Sequence, residues 1–107
     1  IKPSDSRGIL VNSGIFKTYS STNTIINNVK YGLFLSNHGQ MWIHQNTPIN
    51  IDNTDYAIYF NNFSQLDLLD PITIGPNVTN IIYPSDLQPN VFDYRGIIIA
   101  PNGIQIT

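Results

Sequence analysis

The chain has no cysteine and no glutamate, and only 11% of its 107 residues are charged. Without cysteine it can form neither a disulfide framework nor a thiolate metal site. Glutamate is a good helix former and asparagine a poor one, and the chain carries 14 asparagines and 18 isoleucines. This composition argues against a helical protein, and the length suits one domain with a modest core.

Basic residues are also scarce, and none lies between Lys30 and Arg95. Binding to a nucleic-acid backbone needs clustered basic side chains, so the net charge of −2 argues against such a partner. The chain lacks an apolar run of about 18 residues, so we expect neither a membrane-spanning helix nor a membrane partner. Its first residue is isoleucine rather than methionine, which suggests a processed product or an excised piece.

An internal repeat dominates the sequence. The segment from Tyr31 to Met41 aligns without a gap with the segment from Tyr56 to Leu66. One position, usually glycine or alanine, recurs at 8, 32, 57, 80 and 96, so that the steps along the chain are 24, 25, 23 and 16. Within each repeat, alternating apolar residues predict three short strands separated by turns rich in asparagine, glycine, serine and proline.

The clearest repeats read "INNVKYGLFLSN" (26–37) and "IDNTDYAIYFNN" (51–62). They resemble the repeats of right-handed parallel β-helix proteins, among them pectate-lyase-like enzymes and bacteriophage tailspikes. The resemblance implies an all-β fold, a short right-handed parallel β-helix of about four coils, each of roughly 23–25 residues, within positions 1–83. Because the last step of the repeat is too short for a full coil, we expect residues 84–107 to be non-repetitive and to form a C-terminal cap or an extra β element.

Equivalent residues of stacked repeats should form rows along the stacking axis. Alternation predicts two inward rows, Ile9/Leu33/Ile58/Ile81 and Val11/Leu35/Phe60/Tyr83. The recurring small position is predicted to face outward, at Gly8, Gly32, Ala57, Asn80 and Gly96. A row of large apolar residues is also predicted to face outward, at Leu10, Phe34, Tyr59, Ile82 and Ile98.

Such an exposed row of large apolar side chains is unusual for a solvated sheet. We interpret it as an oligomer interface. Two alternatives stay open at this point. Residues 84–107, or a further part of the parent chain, could cover the row, or Phe34 and Tyr59 could form an aromatic platform for sugar rings.

A second outward row contains Lys17, Trp42 and Asp67, which occupy equivalent positions in successive repeats, with His44 beside them. Stacking of the repeats would place the Lys17 ammonium over the Trp42 ring as a cation–π pair. An aromatic ring beside hydrogen-bonding groups is typical of a carbohydrate-binding surface, so these four residues are the candidate ligand-binding site. The alternative is that Trp42 and His44 only decorate the surface or pack against a partner.

The sequence gives little sign of catalysis. Asp52 and Asp55 lie at one predicted corner and are a weak candidate for holding a metal cation, although Ca²⁺ needs about 6–8 oxygen ligands and a solvated turn is the simpler interpretation. Cleavage of polysaccharides usually requires two converging carboxylates, and no outward row carries aspartate in adjacent repeats. We therefore assign no catalytic residue and no cofactor to this chain alone, while a site shared between chains stays open.

Together these features favour a structural or receptor-binding piece of an oligomeric viral or phage fibre or tailspike, which we expect to be a trimer. Its expected partners are copies of itself or other virion proteins, and surface polysaccharide, with a location in the virion or outside the cell. One alternative is a segment of a polysaccharide depolymerase, a lyase or a glycoside hydrolase, with an active site in a groove or between subunits. Another is a purely structural shaft or capsid-decorating protein.

Overall fold

The structure is a computed structural model, and it describes residues 3–18, 23–44 and 47–106. This part of the chain forms strands and turns and contains no helix, which confirms the predicted all-β class. The strands, in chain order, are β1 (Arg7–Asn12), β2 (Ile15–Thr18), β3 (Thr24–Ser36), β4 (Gln40–Ile43), β5 (Ile49–Asn61), β6 (Ser64–Leu68), β7 (Thr73–Ile74), β8 (Val78–Tyr83), β9 (Gly96–Ile99) and β10 (Gln105–Ile106).

The strands form two sheets in which every described pairing is parallel. One sheet has the order β1-β3-β5-β7-β10, with β8 also paired to β5, and the other has the order β2-β4-β6-β9. Paired residues in strands β1 to β8 are about one repeat apart, as in Leu10 with Phe34 and Trp42 with Asp67. The last two strands, β9 and β10, pair with residues farther back in the chain, as in Gly96 with Ser64. The stacking of repeats predicted from the sequence is thus present as parallel strand pairing, an arrangement compatible with a β-helix-like fold.

Asparagine makes the bends between and within strands. Asn37 and Asn62 have positive φ values of 51° and 59° at equivalent turns between the two sheets. Asn28 and Asn53 have φ values of 61° and 50° and bend the long strands β3 and β5. Asparagine tolerates this left-handed conformation better than most residues. The side-chain oxygen of Asn28 also accepts a 3.3 Å hydrogen bond from the side-chain amide of Asn53.

The core lies between the two sheets and is almost entirely aliphatic. Its rows follow the predicted alternation in the first three repeats, where Ile9 pairs with Leu33 and Leu33 with Ile58. Each such large side chain stabilises the fold by roughly 1.5–3 kcal/mol when fully buried. The largest fully buried side chains are Leu33, Leu35, Met41, Ile43, Ile49, Ile51, Ile58, Leu66, Leu68, Ile72, Ile74 and Ile98.

The predicted register of the fourth repeat is wrong by one residue. Ile82, not Ile81, pairs with Ile58, and Tyr83 pairs with Tyr59. A shift of one residue exchanges the two faces of a strand, so Ile82 leaves the predicted outward row and Tyr83 joins it. The observed register places the Tyr83 ring on the Tyr59 ring, with centroids 4.6 Å apart and planes at 6°.

Ile98 is also misplaced by the sequence-based alignment. It pairs with Leu66 in the second sheet and is only 1% exposed, so it belongs to the core and cannot lie in an outer row. The physical reason is the short last step of the repeat. The segment 84–95 between β8 and β9 leads the chain directly to the second sheet, where Gly96 pairs with Ser64.

The recurring small position faces the interior rather than the surface in the middle repeats. Ala57 is fully buried, and a Cβ atom added to Gly32 would lie 2.6 Å from the Ala57 carbonyl oxygen and 2.9 Å from Cγ2 of Ile51. A small residue is therefore needed at this position, because the backbone of the next repeat approaches closely.

The segment after β8 is held by side-chain hydrogen bonds. The Asn90 side chain accepts a hydrogen bond from the Ala100 N–H (2.8 Å) and donates one to the Ala100 carbonyl (3.0 Å). Leu87 is buried against the core. Within the described residues, this segment adds β9 to the second sheet and β10 to the first.

Candidate functional site

The second sheet brings Lys17, Trp42 and Asp67 into one row. Lys17 pairs with Trp42 across β2 and β4, and Trp42 pairs with Asp67 across β4 and β6. The Lys17 ammonium nitrogen lies 4.4 Å from the centre of the Trp42 ring, which is the predicted cation–π contact. One side of the indole is thereby shielded by a cation from the preceding repeat.

Beside Trp42 lies a shallow groove of about 300 Å³, which we call the Trp42 groove. Its lining is mostly aliphatic and comprises Trp42, Asp67, Leu68, Leu69, Ile99 and Pro101. Asp67 is held in place by Gln65, whose amide nitrogen lies 3.0 and 3.1 Å from the two carboxylate oxygens. The indole nitrogen of Trp42 is buried and has no hydrogen-bond partner among the described residues. The groove offers an apolar surface with one carboxylate at its edge.

His44 lies at the end of β4, outside the Trp42 groove. Its backbone N–H donates a 3.1 Å hydrogen bond to the Thr18 hydroxyl, which lies 3.0 Å from the Thr47 hydroxyl. The structure thus brings together three of the four predicted ligand-binding residues in one row and places the fourth beside that row.

The first sheet carries a cluster of aromatic rings on its outer face. Phe34 stacks on Tyr59 at 4.8 Å, and Tyr59 stacks on Tyr83 at 4.6 Å. Tyr31 and Tyr56 form a parallel stack at 5.4 Å and contact this row by their edges. Such pairs contribute about 0.5–1.5 kcal/mol each beyond their buried area.

Because the rings cover one another, the cluster has few free faces. Phe34 is only 9% exposed, and the Arg7 guanidinium lies 4.5 Å from its ring centre. Burial, as the largest cause, raises the pKa of the Tyr59 hydroxyl. A sugar platform formed by the ring faces of Phe34 and Tyr59 is therefore not supported. Leu10, at the start of the same row, is 51% exposed.

A pocket that the sequence did not predict lies at the turn between the two sheets. It has a volume of about 480 Å³, and we call it the corner pocket. The turn residues His38 and Phe63 occupy equivalent positions in successive repeats, both have positive φ, and their rings stack at 5.7 Å. The pocket is lined by His38, Phe60, Asn61, Asn62, Phe63, Tyr83, Pro84, Tyr94 and Arg95.

Arg95 at the edge of the corner pocket is bound by two carboxylates. Its Nε and Nη2 donate to the Asp93 carboxylate at 2.9 and 2.8 Å, and Nη2 also lies 2.9 Å from Asp86. The hydrogen bonds from Arg95 lower the pKa of Asp93 to about 2, and the two carboxylates raise the pKa of Arg95. The only sequence signal for this pocket was the run of aromatic and charged residues at 92–95, which lies outside the repeat.

The weak metal candidates, Asp52 and Asp55, do not form part of a cluster. In the part of the chain that the structure describes, no group of three or more histidine, cysteine, aspartate or glutamate side chains could hold a metal ion. The Asp52 carboxylate instead accepts hydrogen bonds from the backbone N–H groups of Asn53 (2.8 Å) and Asn77 (2.9 Å), which is the role of a turn residue.

Comparisons of this chain with protein-family models, with curated proteins and with solved structures found no match. Within residues 3–18, 23–44 and 47–106, no helix has the length and apolar character needed to cross a membrane. The functional argument therefore depends on the chain's own residues.

Proposed function

We propose that this chain is a segment of a right-handed parallel β-helix and a structural, receptor-binding piece of an oligomeric viral or phage fibre or tailspike that contacts surface polysaccharide. The observation that carries the proposal is the parallel pairing, in both sheets, of residues that lie one repeat apart. A fold in which each repeat contacts mainly its neighbours is suited to an elongated structural role. The location in a virion or outside the cell follows from the sequence resemblance.

The outer face of the first sheet supports an assembly of several copies, and the resemblance to tailspikes makes a trimer the expected one. Of the predicted interface residues, Leu10 is 51% exposed, Tyr59 is partly exposed, and Phe34 is covered by its neighbours. Tyr83, which takes the place predicted for Ile82, ends the row at the corner pocket and lies outside the proposed interface. In a symmetric assembly the same apolar patch of each copy would be buried.

The Trp42 groove supports contact with polysaccharide. The indole and the neighbouring aliphatic side chains provide an apolar surface, and Asp67 provides a hydrogen-bond acceptor at its edge. Saccharides combine apolar C–H faces with hydroxyl groups, so a surface of this composition matches their chemistry. Lys17 fixes the indole from the opposite side.

Light scattering tests the assembly. We expect the wild-type protein to be a trimer and Leu10→Ser to dissociate it, because serine removes exposed apolar area at the proposed interface. Ile25→Ser is the matched control, since Ile25 is 70% exposed but lies outside the outer row. A monomer for the wild type, or equal dissociation by both substitutions, would contradict the assembly.

Fluorescence tests the polysaccharide contact, because Trp42 is the only tryptophan in the chain. Oligosaccharides that bind in the groove should change its emission, and Asp67→Asn should weaken the change by removing the charged acceptor. Emission that stays constant with every oligosaccharide tested would rule out the Trp42 groove as the binding surface.

A further inference from the structure

We propose that the corner pocket is a second binding site, and that it takes a neutral saccharide. The site lies where the two sheets meet and includes none of the residues of the Trp42 groove. It shares a ligand class with the proposed function but stands on different side chains. Its volume of about 480 Å³ is in the range of small-molecule sites, roughly 300–1,000 Å³.

Exposed aromatic rings gather at this pocket. Tyr83 is the last ring of the row that begins at Phe34, so one of its faces lies on Tyr59 and the other has no described ring stacked on it. Tyr94 is 74% exposed, and Phe92, 73% exposed, contacts Phe63 by its ring edge at 6.3 Å. Exposed rings of this kind offer the flat apolar surfaces on which the C–H face of a sugar can rest.

Hydrogen-bonding groups surround these rings. The Asn61 side-chain amide and the Tyr83 and Tyr94 hydroxyls lack hydrogen bonds to other described residues, so they can bond to a ligand. The Asn62 amide nitrogen donates to Asn37 at 2.8 Å, which fixes the orientation of the Asn62 side chain. Amide and hydroxyl groups can both donate and accept, which matches the hydroxyl groups of a sugar.

The charge at the pocket selects a neutral ligand. Arg95 is the only Lys or Arg side chain among the lining residues, and its guanidinium is bound by both Asp93 and Asp86. One guanidinium between two carboxylates leaves a net negative charge at the rim. An anionic sugar or a nucleotide phosphate would be repelled there and would find no uncompensated cation.

The turn residues give this site a rigid base. His38 and Phe63 stack on each other, and Asn37 and Asn62 are joined by an amide hydrogen bond in the same pair of turns. Arg95 is fixed by two oxygens of Asp93, so the Tyr94 side chain projects from a segment with a defined backbone. A site whose groups are already in place loses less conformational entropy when the ligand binds.

The test is a titration of ¹⁵N-labelled wild-type protein with chitohexaose, cellohexaose and, as the anionic counterpart, hexagalacturonate. Side-chain amide signals of Asn61 and Asn62 report on the corner pocket, and the emission of Trp42 reports on the Trp42 groove. We expect at least one neutral oligosaccharide to shift the two amide signals, with hexagalacturonate giving no shift at the same millimolar concentration.

Two substitutions locate the binding. Tyr94→Ala and Asn61→Ala alter exposed side chains and should weaken the affinity by at least about tenfold. Phe16→Ala is the matched control, because Phe16 is an exposed aromatic residue in β2 that does not line the pocket, and it should leave the affinity unchanged.

The outcomes separate this proposal from the proposed function. Amide shifts that Tyr94→Ala removes support the corner pocket, whatever the emission of Trp42 does. A response of Trp42 alone supports the Trp42 groove and overturns the corner pocket. Absence of amide shifts with both neutral oligosaccharides, or tighter binding of hexagalacturonate, overturns it as well.

Discussion

The side-chain amide of Asn62 donates a 2.8 Å hydrogen bond to the side-chain oxygen of Asn37, which lies one repeat earlier in the chain. Asn37 in turn donates to Asn12 at 2.8 Å, so one amide row links three repeats at the same turn. Both Asn37 and Asn62 have positive φ. Asparagine therefore serves two purposes here, since it adopts the left-handed turn and joins neighbouring repeats.

Substitutions of Asn37 separate these two purposes. Asn37→Ala should lower the free energy of unfolding by about 1–3 kcal/mol. The variant loses the amide hydrogen bonds, and alanine, unlike asparagine, has no polar side chain that can hydrogen-bond locally in the left-handed conformation at φ 51°. Asn37→Gly loses the same bonds but accepts the backbone angle, so its cost should be smaller by about 1 kcal/mol. Urea unfolding followed by circular dichroism measures both. Equal costs for the two variants would show that the turn conformation contributes nothing.

We expect that adding a single methyl group at Gly32 lowers the stability of the fold. Gly32→Ala would place Cβ 2.6 Å from the Ala57 carbonyl oxygen, and since backbone must move to relieve this contact, we expect a loss of about 1–3 kcal/mol or more. Gly14→Ala is the control, because its Cβ would have no heavy atom within 4 Å. Its effect should stay within about 0.5 kcal/mol. Thermal unfolding compares the two, and a Gly32 variant as stable as the Gly14 variant would contradict the buried position.

The protein should become less stable in acid, because protonation of Asp93 weakens its contact with Arg95. The pKa of Asp93 is lowered from 3.8 to about 2 in the folded protein, so its contribution is fully present above the unfolded value and is lost as the pH falls towards 2. Asp93→Asn removes this titration. The variant should therefore lose less stability than the wild type between about pH 5 and pH 2. Arg95→Gln should flatten the profile in the same way, because the hydrogen bonds that lower the pKa are gone.

Urea titrations at several pH values give these profiles. If the wild type and Asp93→Asn lose the same stability over this interval, the carboxylate is not held by Arg95 in solution. Arg95 also lowers the pKa of Asp86, so protonation of Asp86 likewise lowers stability in acid. Part of the pH dependence of stability should therefore remain in Asp93→Asn.

The contact between Lys17 and Trp42 can be measured through the single tryptophan. Lys17→Gln removes the cation from the ring and should cost about 0.5–1 kcal/mol, with a change in Trp42 emission. Lys17→Arg keeps a cation over the ring and should restore both values. An emission spectrum that is identical in wild type and Lys17→Gln would indicate that the ammonium does not rest on the indole.

Much of the architecture could be predicted because the repeat is close to regular. A nearly constant offset relates Leu10 to Phe34 and Trp42 to Asp67, and aligning the repeats in the sequence gives the same pairs as the structure. The rows of the first three repeats and the position of Lys17 over Trp42 followed from this offset and from the alternation of apolar residues. The interface and ligand-binding roles of these residues stay predictions.

The alignment failed where the repeat is irregular. The glycine at position 96 resembles those at 8 and 32, yet it pairs with Ser64 in the other sheet, and Ile98 follows it into the core. The inference that Gly32 and Ala57 face outward failed for a related reason. Strict alternation assumes an unbroken strand, whereas the rings of Tyr31 and Phe34, three residues apart in β3, contact each other on the same face, so the alternation is broken between them.

The sequence by itself determined the strand class, the spacing of the repeats and the inward rows of the first three, because these depend on local alternation and on equal spacing along the chain. Only the tertiary structure decided the register of β8, because one residue more or less in the preceding turn exchanges the two faces of this strand. In the observed register, Tyr83 stacks on Tyr59. It alone assembled the corner pocket, because that site joins His38, Asn61 and Tyr94 from three separate segments. The repeat places the turns at His38 and Phe63 next to each other, but Tyr94 lies in the non-repetitive segment, so its position beside them leaves no periodic trace in the sequence.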